Sequence, residues 1–137
     1  MSIRDVRLRR NGMKIATIVA RVLLGLLFTS CVTAFFLTPP PQTGMAGAFA
    51  TVYYGSHWAL VVAFAQIAAG VLLLLNRFVP VALIVLAAFL YNSFTFHITM
   101  APESIAAPAI VFVLWLVVAL PYRAAFARLF ATVPVTG

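Results

Sequence analysis

Four long apolar stretches leave this chain few folds to choose from. They cover residues 15–37, 58–75, 78–101 and 104–122, and Arg21 is the only Lys, Arg, Asp or Glu inside them. Each is about 18–24 residues long, enough for a helix to cross a ~30 Å hydrocarbon layer. A backbone in lipid must bond to itself, so helix is the conformation expected at this length. The hydrophobic fraction is 65% and the charged fraction 8%, against ~45–50% and ~25% in soluble domains. A body of 137 residues lacks the interior to bury so much apolar surface. A soluble enzyme, a disordered tail and a disulfide framework are thereby excluded, the last because Cys31 is the single cysteine. The fold class expected is an all-α membrane protein, an antiparallel four-transmembrane-helix bundle forming one domain over 1–137.

The connections constrain the packing. Asn76 and Arg77 leave room only for a tight antiparallel hairpin, with Pro80 tolerated in the first turn of the third helix. A second short turn falls at 99–103, where Pro102 and Glu103 suit a helix start. Pro108 bends the fourth helix unless that helix begins later than Ser104.

Charge sets the orientation. Nine basic residues against two acidic ones give +7, but the excess is segregated. Arg4, Arg7, Arg9, Arg10 and Lys14 form a basic arm over 1–14, and Arg77, Arg123 and Arg128 lie at the hairpin and in a tail over 123–137. The segments 38–57 and 99–104 have no Lys or Arg. This is the positive-inside pattern of a membrane protein with both termini in the cytoplasm, not a nucleic-acid-binding face. Ala46-Gly47-Ala48 and Ala48-Phe49-Ala50 resemble signal cleavage sites, yet the preceding apolar run exceeds the ~7–15 residues of a signal, so a retained span is expected. In the outer loop 38–57, Pro39-Pro40-Pro41 is stiff and extended. Phe49, Tyr53, Tyr54 and Trp58 then recur at helical spacing, as in a short helix lying in the outer interface.

Polar groups at membrane depth are costly and therefore candidates for function. His57 and His97 are each twenty residues from Arg77, which predicts one outer level for both, with Glu103 beside them. Such a mouth suits a quinone headgroup, a haem or a metal. Two histidines without a third spaced ligand argue for no metal site, and the alternative is a pair of interfacial imidazoles bonded to water or loop carbonyls. Ala59, Ala63, Gln66 and Gly70 fall on one face of the second helix, and Thr17, Arg21, Gly25 and Phe28 on one face of the first. These predict a close seam between the two helices, with Gly25 near Gln66 and Arg21 near Gly70. Arg21 is expected to snorkel toward the cytoplasm rather than pair with Gln66. Asn92 and His97 lie ~140° apart on their helix, so Asn92 is expected to bond a neighbouring helix while His97 is the candidate for chemistry. Cys31 is expected to be packing. No dithiol pair, mid-membrane carboxylate or phosphate loop is present in the sequence.

Several segments resemble the DoxX-like family of small four-helix bacterial membrane proteins. They are Ala20-Arg21-Val22-Leu23-Leu24-Gly25-Leu26-Leu27-Phe28, Gly70-Val71-Leu72-Leu73-Leu74-Leu75-Asn76-Arg77-Phe78-Val79-Pro80, Asn92-Ser93-Phe94-Thr95-Phe96-His97, and Leu114-Trp115-Leu116 with Tyr122-Arg123. The likeness spans roughly residues 16–130. Gln66 stands where family members commonly have Glu, and Cys31-Val32-Thr33 where a Gly and a Lys often follow the first apolar run. The resemblance implies the bacterial cytoplasmic (inner) membrane and a link to redox systems. Relatives in sulfur-oxidising organisms serve in thiosulfate:quinone oxidoreductase, and others in oxidative-stress complexes.

The function expected is an accessory subunit, bound to lipid and to a membrane or peripheral redox protein, with self-association open and no nucleic acid. It would lodge a quinone or lipid tail, with Arg21, Gln66, Asn92 and His97 as candidate binding residues and no other cofactor implied. The alternatives are a catalytic quinone-reactive subunit using His97 with His57 or Glu103, and a small-molecule carrier.

Overall fold

The computed structural model describes residues 3–31, 37 and 41–129, and among these the regular structure is entirely helical. Helix α1 runs Ile3–Leu26. The basic residues expected as an arm are thus helical and continuous with the first apolar stretch. Arg, Leu, Met and Lys are strong helix formers, and no proline interrupts them. Arg4, Arg7, Arg10 and Lys14 are exposed along it. The helix then widens into a π-helical turn at Leu27–Cys31. Thr29 Oγ1 donates back to Gly25 O at 2.8 Å there, a contact that loosens the regular ladder. The far end of the expected first span, 32–36, lies outside the described residues, as do Pro39, Pro40 and the side chain of Cys31.

Helix α2, Gly44–Gly55, forms within the segment 38–57 where a short helix is expected, and α3 follows at Trp58–Leu74. The two meet at 82°. His57 makes the corner in the left-handed region, with φ 63°, so Trp58 opens α3 instead of continuing the aromatic row of α2. The hairpin closes as expected. Asn76 takes φ 54°, its N–H bonds Leu73 O at 3.1 Å, and the Arg77 N–H bonds Leu72 O at 3.0 Å. This is a Schellman ending with Asn in the left-handed position.

Helix α4 spans Val79–Met100 with Pro80 in its first turn. A 3₁₀ turn at Pro102–Ser104 leads to α5, Ala106–Ala119. That later start places Pro108 in the first turn of α5, where its missing N–H costs nothing. Pro121 then tightens Leu120–Tyr122 into a 3₁₀ turn, and α6 continues through Arg123–Leu129. The expected tail is therefore helical as far as Leu129, and Tyr122 and Phe126 pack against the core.

Helix α1 packs on α3 and α5, α4 packs on the same two, and α2 lies over α3 and α4. Leu24, Phe28, Leu73, Leu83, Leu86 and Val118 are fully enclosed. Phe28 meets Phe89 edge-on at 5.3 Å, joining the π-helical turn after α1 to α4. Among the described residues, Arg10–Ser30, Val79–Met100 and Pro102–Leu129 are each long and apolar enough to cross a membrane. A fourth span exists only if the bent pair α2–α3 counts as one. Helix α3 alone has 17 residues, about 26 Å, slightly under the hydrocarbon thickness.

Candidate functional site

The seam between α1 and α3 is built by two glycines. A Cβ on Gly70 would stand 3.0 Å from Gly25 O and 3.0 Å from Thr29 Cγ2, and a Cβ on Gly25 would stand 2.8 Å from Leu74 Cδ2. Only the missing side chains let the backbones approach this closely. The expected face of α3 is correct, since Ala59, Ala63, Gln66 and Gly70 are all buried. The expected register is one turn off. Gly25 faces Gly70 and Leu74 rather than Gln66, and Arg21 reaches Leu73 rather than Gly70. Counting from residue 15 misplaced α1, which has no end there.

Arg21 Nη1 donates to Leu73 O. That carbonyl, which also accepts from the Asn76 N–H, belongs to the last turn of α3, where the dipole favours a cation. The guanidinium is half-buried. It caps a neighbouring helix and makes no pair with Gln66. Gln66 is 5% exposed, the only buried polar residue among those described. It sits one turn beyond the glycine contact, on the face that packs against α1.

At the opposite end, His97 belongs to the last turn of α4. Its Nδ1 lies 2.8 Å from Ser104 Oγ and 3.4 Å from Ala101 O. Ser104 Oγ donates to Ala101 O at 3.0 Å. The imidazole, the Ser104 hydroxyl and the Ala101 carbonyl thus form one small polar cluster at this end of α4. Phe96 stands edge-on to the imidazole at 5.2 Å and meets Phe49 of α2 at 5.5 Å. Helix α2 thus covers this end of α4. Tyr53 stacks on Phe49 at 5.6 Å. Partial burial, with Tyr54 adjacent, pushes the Tyr53 phenol above its ordinary value, which keeps it a neutral donor.

His57 and Glu103 are exposed, His57 at the α2–α3 corner and Glu103 in the 3₁₀ turn. His97 is bonded instead to Ser104, a residue the sequence reading passed over. Its signal was its place seven residues after His97, across a short turn. Among the described residues no group of three or more His, Cys, Asp or Glu side chains is placed to hold a metal ion.

Asn92 differs from expectation. It is exposed, and its Nδ2 donates to Ala88 O of its own helix at 2.8 Å, so it joins no neighbouring helix of this chain. Trp115 makes that kind of link instead, its Nε1 donating to Leu83 O at 2.8 Å from α5 to α4. An indole N–H in an apolar span needs a partner, and that rule would have found it. Beside this bond an apolar groove of about 270 Å³ is lined by Ala87, Leu90, Tyr91, Phe94, Phe112 and Trp115. Phe112 and Trp115 stack nearly parallel at 6.1 Å on one wall.

Comparison with protein-family models, curated proteins and solved structures finds no match for this chain.

Proposed function

We propose that the chain is an integral protein of the bacterial cytoplasmic membrane, of DoxX-like type, crossing four times as an antiparallel bundle with both ends inside. In this reading it is an accessory subunit of a quinone-linked redox system. The observation that carries the reading is the groove between α4 and α5. Its walls are apolar and aromatic, they belong to two candidate spans, and its size suits part of a prenyl or acyl tail rather than a polar substrate. The polar groups nearest the core support the same reading, because Arg21 and Trp115 hold helices together.

The test is to purify the protein into native-lipid nanodiscs and extract the bound lipids for mass spectrometry. Prenyl quinone is expected above its bulk membrane fraction. Ala87→Trp, which fills the groove, is expected to lower that enrichment about tenfold, a loss of ~1.4 kcal/mol in binding. Quinone at the bulk ratio in both proteins refutes the tail site.

A second reading has its own observation. Ser104 holds the His97 ring through Nδ1 one turn beyond Phe94, and in a catalytic subunit His97 would handle the quinol proton. Full quinone-linked activity in His97→Ala membranes would exclude this.

A further inference from the structure

We infer that the outward face of α4 is the contact between two copies of this chain lying side by side in one membrane. The inference rests on the membrane-spanning reading above. Along the apolar stretches of α1, α3 and α5 the outward faces are mainly apolar. Helix α1 shows Ile18, Val22 and Leu26, α3 shows Val61, Phe64 and Val71, and α5 shows Ile110, Val113 and Leu116. Helix α4 differs. Val81, Ile84, Ala88, Tyr91, Thr95 and Ile98 are all exposed and follow one another by three and four residues, and Asn92 and Thr99, also exposed, flank them. Asn92 lies eight residues before the end of α4 at Met100, about 12 Å in from that end. Tyr91 is 74% exposed. Amide and hydroxyl groups at such depth normally face protein, not lipid.

The bonds these groups make show what remains to be satisfied. Thr95 Oγ1 donates to Tyr91 O at 2.9 Å, Thr99 Oγ1 to Thr95 O at 2.7 Å, and Asn92 Nδ2 to Ala88 O at 2.8 Å. The threonine hydroxyl protons are committed. Asn92 keeps one N–H and its Oδ1, so its remaining partial charges are complementary to themselves. This selects the occupant. Membrane insertion gives every copy the same orientation, so α4 of one copy runs parallel to α4 of the next, with each residue at the depth of its equal. A two-fold axis along the membrane normal then sets Asn92 against Asn92, and each amide donates to the other. Ala88 and Thr95, small and one turn to either side, let the helices close on that pair. The three-and-four spacing fits the ~20° left-handed crossing common to membrane helices. A second copy carries a matching amide at this depth by construction.

Disulfide trapping in native membranes tests the contact. In a Cys31→Ala background, Ala88→Cys and Thr95→Cys are oxidised with copper phenanthroline, and Ala68→Cys, on the apolar outward side of α3, serves as control. The expected result is a species of twice 14.8 kDa from the two α4 variants and none from the control. Adding Asn92→Leu is expected to raise the dimer dissociation constant in lipid about tenfold. Monomers from all three variants, or dimers equally from all three, overturn the contact. A product of any other mass overturns the second copy as occupant. Each membrane sample is also washed with alkaline carbonate. Protein retained in the membrane without α4 cross-links defeats this inference alone, whereas protein released by the wash defeats the membrane reading itself.

Discussion

The α1–α3 seam and the outward face of α4 use polar groups in opposite ways. At the seam the bond is made between helices: Arg21 reaches Leu73 O, and two glycines let the backbones meet. On the outward face of α4 the side-chain bonds of Asn92, Thr95 and Thr99 each turn back four residues along the same helix. The first arrangement ties two segments of one chain together. The second makes an exposed polar helix self-sufficient while leaving its edge able to join another surface. Buried area alone does not separate these roles, but the direction of each hydrogen bond does.

Size at the seam should break this comparison most strongly. Gly70→Leu places a side chain where the Gly25 carbonyl already stands at 3.0 Å from any Cβ, and a loss of about 3 kcal/mol is expected on denaturant unfolding in detergent micelles. Ala88→Leu, the matching change on the face of α4, should alter the unfolding free energy of the monomer by less than about 0.5 kcal/mol. Charge comes next. Arg21→Met removes the cap on Leu73 and is expected to cost about 1.5 kcal/mol in the same assay, with Arg21→Lys recovering part of it. An unchanged midpoint for Arg21→Met would mean the cap contributes nothing to the seam. The smallest effect sharpens the contrast. Thr95→Val removes a hydroxyl bonded only to its own helix, and the monomer should move by no more than about 0.5 kcal/mol.

The helical class and the hairpin were legible because they rest on local chemistry. Long apolar runs demand internal backbone bonding, and Asn76 followed by Pro80 marks one helix stop and the next start. The buried stripe of α3 was legible from small residues at helical spacing. The register of α1 against α3 was not, because it depends on where two glycines and one guanidinium find their best partners, not on where an apolar run begins. The 82° corner at His57 was hidden for a related reason: the aromatic spacing continues across it, and only φ at one residue breaks it. Asn92 misled because an amide can bond backward along its own helix as readily as across to another. His97 and Ser104 were separable only by their turn, whose 3₁₀ geometry brings the hydroxyl back to the ring.

The shortness of α3 has a mechanical consequence. It holds 17 residues beside an α4 of 22, a difference of roughly 7 Å in rod length. In the proposed seating, acyl chains along that one flank must compress or tilt to meet it, while those around the other flanks do not. The molecule would act as a lopsided wedge, drawn toward thin or curved patches of bilayer.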